Sequence, residues 1–364
     1  MVKERYFYYL FMINALINIV NFVPRGLINS SFGGAMMAIV IAIPLGVLMT
    51  FLFIKGMNKF PSQSLPAVFN AHFPKAISAT ALLLYASLWF TAGLITLISF
   101  VEVTLRYVSV DVEPTMIMLL FLAVVCLCMR INSESLLYGL EVLLCINFPL
   151  IVYILLKAIL HPYFSWDAVA DIFTHSIALP SYRDIATATF IFSGYINMAV
   201  FNQVFKPLQL KYLWLIGVLG ALILLTTFLI PIGFLGTINV YRHVYPWFST
   251  ADALRTQNFI IERVLFIFYF SYLTLSLNSA IIHWHVALNL IKGAFTSRNK
   301  KETRSKSDWW IMGIFSAISL FVQTINQFKL DQLGLMFLSV RLCGEAALIL
   351  SVFIAYRRSR RKTA

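Results

Sequence analysis

The chain has 364 residues, 60% of them hydrophobic and 12% charged. A soluble domain is about 45–50% apolar and about 25% charged, so the composition excludes one and indicates an integral membrane protein. The formal net charge of +13 suggests nucleic acid, but the positions of the basic residues, given below, assign that charge to the membrane surface.

Crossing the hydrocarbon core takes about 20 apolar residues in a helix. Ten such runs occur, at roughly 6–23, 34–54, 77–101, 115–130, 137–160, 186–205, 212–235, 258–291, 309–327 and 333–356. The fourth is short, and the eighth is long enough to tilt or to project beyond the bilayer.

The first run carries Asn14, Asn18 and Asn21 and closes on Pro24-Arg25. Spacings of four and three put the asparagines on one helical face, and lipid cannot satisfy amides, so that face turns into the protein. Pro24 has no amide hydrogen and disfavours helical geometry just before it. Two readings stay open: a broken helix aiming free backbone groups at a cavity, or asparagines that join the helix to its neighbours.

The third run places Tyr85 and Trp89 one turn apart, with Thr91 and Thr96 beyond them. The two rings either line a cavity wall or pack in the core. Glu102 lies near the outer end of that run and Glu141 at the inner edge of the fifth. Cys126, Cys128, Cys145 and Cys343 all lie in apolar runs, as buried thiols rather than a disulfide framework or zinc site. Residues 163–178 space Trp166, Val169, Ala170 and Phe173 helically, predicting a short interfacial helix, and residues 246–257 predict a second. Either covers helix ends or forms a lid over an outward vestibule.

The sixth run is polar in its middle: Thr187, Thr189, Ser193-Gly194-Tyr195 and Asn197, then Asn202 and Gln203. A Ser-Gly-Tyr break makes it a second candidate for a discontinuous helix, the other reading being a small-residue packing notch. Interrupted helices at matching places in two five-helix halves point to a transporter-type site at the midplane. In the eighth run, Glu262-Arg263 stands at the outer start, and His283-Trp284-His285 has the wrong spacing for a metal. In the tenth, Arg341 and Glu345 are four apart and can pair on one face, as a staple or part of an ion path. The sequence shows no nucleophile–base set, phosphate loop or metal cluster, so neither an enzyme nor a cofactor is expected.

With the amino terminus inside, 19 of the 28 basic residues fall in inside segments and 6 in outside ones. This asymmetry predicts that both termini are cytoplasmic. The tail Arg357-Arg358-Ser359-Arg360-Arg361-Lys362 reads as an anchor to anionic headgroups of the bilayer, with no nucleic-acid role. The opening Met-Val-Lys-Glu-Arg leads straight into a spanning run, so no cleaved signal is expected.

Over essentially its whole length the chain resembles the B subunit of spore germinant receptors, a branch of the amino acid–polyamine–organocation transporter superfamily. The matching pieces are Phe22-Val23-Pro24-Arg25, Phe192-Ser193-Gly194-Tyr195, Tyr245-Pro246-Trp247 followed by Phe259-Ile260-Ile261-Glu262-Arg263, and the basic tail. Where members carry Gly-x-Gly this chain has Ile17-Asn18-Ile19, and Ile196 replaces a glutamate.

The resemblance implies an all-α, LeuT-like fold of ten transmembrane helices. Helices 1 and 6 would be discontinuous, and two inverted five-helix repeats would cover about 6–160 and 186–356. It further implies a multi-pass protein of the spore inner membrane that binds a small germinant (amino acid, nucleoside or sugar) from the outer side. An A-type membrane subunit and a C-type lipoprotein subunit would complete the receptor. The ligand is expected between spans 1, 3, 6 and 8, at Asn18, Asn21, Tyr85, Trp89, Ser193, Gly194, Tyr195 and Asn197. Glu262, Arg263, Arg341 and Glu345 are the candidate coupling or structural charges. The alternatives are a secondary transporter using the same pocket and a scaffold whose pocket is vestigial.

Overall fold

The computed structural model describes residues 1–20, 22–108, 111–255, 263–295 and 306–363. Among these, regular structure is entirely helical apart from two isolated bridges. Seven helices are long and apolar enough to cross a membrane, and the count rises to eight if one bent pair forms a single span.

That pair is α1 (Arg5–Ile17) and α2 (Phe22–Asn29), inclined at 56°. Pro24 lies in the first turn of α2, where a missing amide hydrogen costs nothing. It cannot donate to the carbonyl four residues back, which disfavours a straight helix through this point. Residues Asn18–Val20 are a turn, and Asn18 Nδ2 bonds the Asn14 carbonyl at 2.7 Å.

After α3 (Ala35–Met57) and the short α4 (Leu65–His72) comes α5 (Lys75–Tyr107), which packs along α13 (Val264–Phe295). Gly93 of α5 makes room for the Trp284 ring, whose Nε1 donates to the Phe90 carbonyl at 3.1 Å. The helices α6 (Pro114–Cys128) and α7 (Ser133–Ile159) follow, α6 having only 15 residues. Near the chain-terminal end of the bundle, buried Asp308 of α14 (Lys306–Gln323) takes Lys292 Nζ at 3.0 Å and Arg130 Nε at 3.7 Å.

The two predicted interfacial helices have different fates. The first is α8 (Trp166–Thr174), capped by Ser165, but it buries Val169 and Ile172 and leaves Trp166 and Phe173 exposed. The second, α12 (Pro246–Ala253), is not a surface helix: Trp247, Phe248 and Ala251 are buried, and Trp247 Nε1 donates to the Thr227 carbonyl at 3.2 Å.

The sixth run corrects the expected break. It runs as α9 (Tyr182–Thr189), a 3₁₀ segment (Phe190–Asn197), α10 (Met198–Phe201) and a final 3₁₀ turn (Asn202–Val204). The chain tightens here instead of unwinding, and Tyr182–Val204 remains one candidate span. Phe192 explains part of this: its ring is wedged against Gly46 of α3 and Gly220 of α11 (Leu213–Leu235), where a Cβ on either glycine would come within 2.3 Å. The last helix is α15 (Gln327–Thr363).

Candidate functional site

Eight 3₁₀ residues in mid-span are unusual, since such runs rarely exceed three or four residues and often mark a hinge or strain. The residues around them supply hydrogen bonds from outside the helix. Asn14 of α1 donates Nδ2 to the carbonyls of Phe190 at 2.7 Å and Ile191 at 3.2 Å. Gly194 lets the two chains meet: a Cβ there would lie 2.5 Å from the Leu10 carbonyl oxygen and 2.6 Å from Phe11 Cα, both backbone.

On the other side of the segment lies α15. Arg341 and Glu345, spaced one turn apart, form an ion pair at 2.7 Å, with side chains 2% and 4% exposed. Arg341 donates Nη1 to the Ser193 hydroxyl, and Nη2 to the Ala186 carbonyl at 2.6 Å and to Thr189 Oγ1 at 3.0 Å. Its guanidinium lies 4.9 Å from the centre of the Phe190 ring. The second carboxylate oxygen of Glu345 accepts from the Tyr195 hydroxyl at 2.8 Å. Two buried charges are tolerable only when paired and hydrogen-bonded, and here they are both.

A cavity of about 20 Å³ adjoins the pair, walled by Tyr85 and Trp89 of α5, Phe190 and Ile196 of the 3₁₀ segment, His283 of α13, and Arg341 and Glu345. Trp89 Nε1 donates to Asn197 Oδ1 at 2.9 Å, and Asn197 Nδ2 reaches back to the Gly194 carbonyl at 3.3 Å. His283 Nδ1 lies 2.7 Å from the Ser279 carbonyl, so it carries the proton, and Nε2 is an acceptor in the neutral ring. Among the described residues, the buried Arg341 Nε has no partner. The site thus combines an ion pair, one spare donor, an imidazole acceptor and an indole wall. Its volume takes about one water molecule.

The structure therefore gathers Tyr85, Trp89, Ser193, Tyr195, Asn197, Arg341 and Glu345 around one point, with Gly194 behind them. It places the cavity between spans 3, 6, 8 and 10, where the sequence pointed to spans 1, 3, 6 and 8. The turn of span 1 opens elsewhere: Ile19 and Val20 line a separate cavity of about 20 Å³, against Ile154, Trp247 and Tyr272. Asn18 faces its own helix, and its buried Oδ1 has no partner among the described residues. Asn21 and Glu262 lie outside the described residues, and Arg263 stands exposed before α13. Sequence reasoning noted Thr189 and His283 without assigning them to the site, and missed Phe190. The threonine and serine that receive Arg341 are four apart in a polar stretch, which was the available signal.

A family model described as spore germination protein matches residues 9–328 of the chain. The match stops short of Arg341 and Glu345, so α15 contributes the ion pair from beyond the matched segment. None of the curated proteins compared with the chain matches it. A match over most of the length, on an all-helical chain with several membrane-length helices, settles the family: the chain is a multi-pass membrane protein belonging to the spore germination protein family, a permease-like family.

Proposed function

We propose that this chain is the membrane subunit of a spore germinant receptor and that the pocket at Arg341–Glu345 senses a small germinant. The supporting observation is a buried ion pair that, with His283, lines an indole-walled cavity in a germination-family chain, Arg341 Nε having no partner among the described residues. A polar amino acid, nucleoside or sugar supplies both donors and acceptors for such a site. At about 20 Å³ the cavity is closed around nothing larger than water, so germinant binding has to widen it. That requirement supplies the two states a sensor needs: the ligand favours the wide arrangement and pulls the population towards it.

In this reading the ten helical segments form two inverted five-helix halves, both termini are cytoplasmic and the bilayer is the spore inner membrane. An A-type membrane subunit and a C-type lipoprotein subunit receive the signal. Spores carrying Asn197→Leu, which removes the Trp89 partner, should lose the response to the cognate germinant while accumulating normal amounts of the protein. An unchanged dose response at normal protein level sinks the assignment. A transporter reading rests on the α1–α2 break, and saturable, gradient-driven uptake into liposomes would favour it over sensing.

A further inference from the structure

The largest cavity described, about 310 Å³, lies between α5, α14 and α15, away from the chain termini. It meets the smaller cavity at Leu88 and Phe337, which line both. Its walls are mostly aliphatic, but Glu102, Asp331 and Tyr245 all line it. The two guanidinium groups nearest these acids do not: Arg25 holds Asp331 from outside the lining, and Arg106 acts on Glu102 electrostatically from an exposed position. The cavity therefore sees the acids and not their counter-charges.

Tyr245 supplies an independent observation. It is 93% buried, at 7% exposure, yet its hydroxyl has no hydrogen-bond partner among the described residues. Burial, with the negative charge of Glu102 and Asp331, holds that hydroxyl protonated well above the usual phenol range. Tyr245 lines the cavity, so a ligand atom there can pair with that hydroxyl. Described residues hold no cluster of three or more metal-ligating side chains, and a hard divalent ion needs six or more oxygens. An aliphatic cavity with acids and a phenol at one end suits an organic cation. The Phe22 and Tyr245 rings add faces that attract one.

We infer that this outer cavity is a second binding site, taking a small soluble primary amine with an apolar body whose ammonium group sits between Glu102 and Tyr245. The site is separate from the germinant pocket and does not depend on that assignment. The amine donates to the Glu102 carboxylate and the Tyr245 oxygen, and its apolar body lies along α15 towards Phe337.

The test is binding of 2-phenylethylammonium to the full chain in nanodiscs of phosphatidylcholine and phosphatidylglycerol, read by thermal shift and saturation-transfer NMR. Saturable binding at least tenfold tighter than for 2-phenylethanol, with none for 3-phenylpropanoate, is expected. Glu102→Gln should weaken it at least tenfold. Tyr245→Phe, which keeps the ring and the fold, should weaken it several-fold. Equal affinity for amine and alcohol, or wild-type affinity in both variants, overturns the inference. So does competition by phosphatidylethanolamine added to the nanodiscs, which would make a lipid headgroup the occupant. Loss of amine binding in Asn197→Leu with wild-type affinity in Glu102→Gln would put the amine in the inner pocket and overturn it as well.

Discussion

The two halves of the Arg341–Glu345 pair do not depend on each other equally. Replacing Arg341 with Met leaves Glu345, 4% exposed, with the Tyr195 hydroxyl alone. A buried carboxylate stripped of its counter-ion costs about 3–5 kcal/mol. Replacing Glu345 with Gln leaves the guanidinium its bonds to Ser193, Ala186 and Thr189 and the face of Phe190. Gln keeps one acceptor oxygen for Arg341, and its NH2 group can donate to the Tyr195 oxygen in place of the bond it received. The loss is then that of a charge-assisted hydrogen bond, about 1.5–3 kcal/mol. Equilibrium unfolding in mixed micelles should rank Arg341→Met as the more destabilising change. Adding Glu345→Leu to Arg341→Met should recover part of the loss, because no buried charge remains. If Glu345→Gln costs as much as Arg341→Met, or if the double variant is the worst of the three, the account of who supports whom is wrong.

Three further outcomes follow from the same packing. Gly194→Ala should cost about 1–3 kcal/mol by overpacking, since the new methyl meets the Leu10 and Phe11 backbone. Gly139→Ala, with nothing within 4 Å, should be neutral or slightly stabilising, and thermal unfolding of the two compares them directly. Phe192→Ala should cost about 3–5 kcal/mol by leaving a void between Gly46 and Gly220, measurable as a lowered unfolding midpoint. His243, in the connection before α12, is pushed below its ordinary 6.5 by burial. Its neutral form is favoured in the fold, so its contribution to stability is present above 6.5 and is lost as pH falls below that value. Unfolding midpoints between pH 7 and 5 should fall more steeply for the native chain than for His243→Gln.

Much of the architecture was legible because hydrophobic length is a local property. Seven of the ten apolar runs meet helices long and apolar enough to cross a membrane, the first meets the bent pair, and the bend after Ile17 was visible in Asn18 and Pro24. The sixth run was misjudged because glycine says only that backbone must be free or close. Gly194 is there for contact with Leu10, which no spacing within the run reveals. Residues 246–253 look interfacial by composition, yet Trp247 lies beneath the surface because its indole finds the Thr227 carbonyl. Spacing announced the Arg341–Glu345 pair, but its partners 148 to 155 residues away belong to the tertiary fold. Asp308, next to a basic stretch, gave no sign that two cations would bury it.

The tightened stretch of span 6 is longer than the same residues would be in an α-helix. Eight residues rise about 16 Å at 3₁₀ pitch and about 12 Å at α pitch. Slackening to the ordinary winding would draw the Val204 end about 4 Å closer and swing it by roughly 160° about the axis. Val2 donates its amide to the Val204 carbonyl at 2.9 Å, so the amino-terminal end of the chain would be towed along. If the sensing proposed above uses this slack, spin labels at either end of the span, with and without germinant, will register that travel as a shortening of the same size.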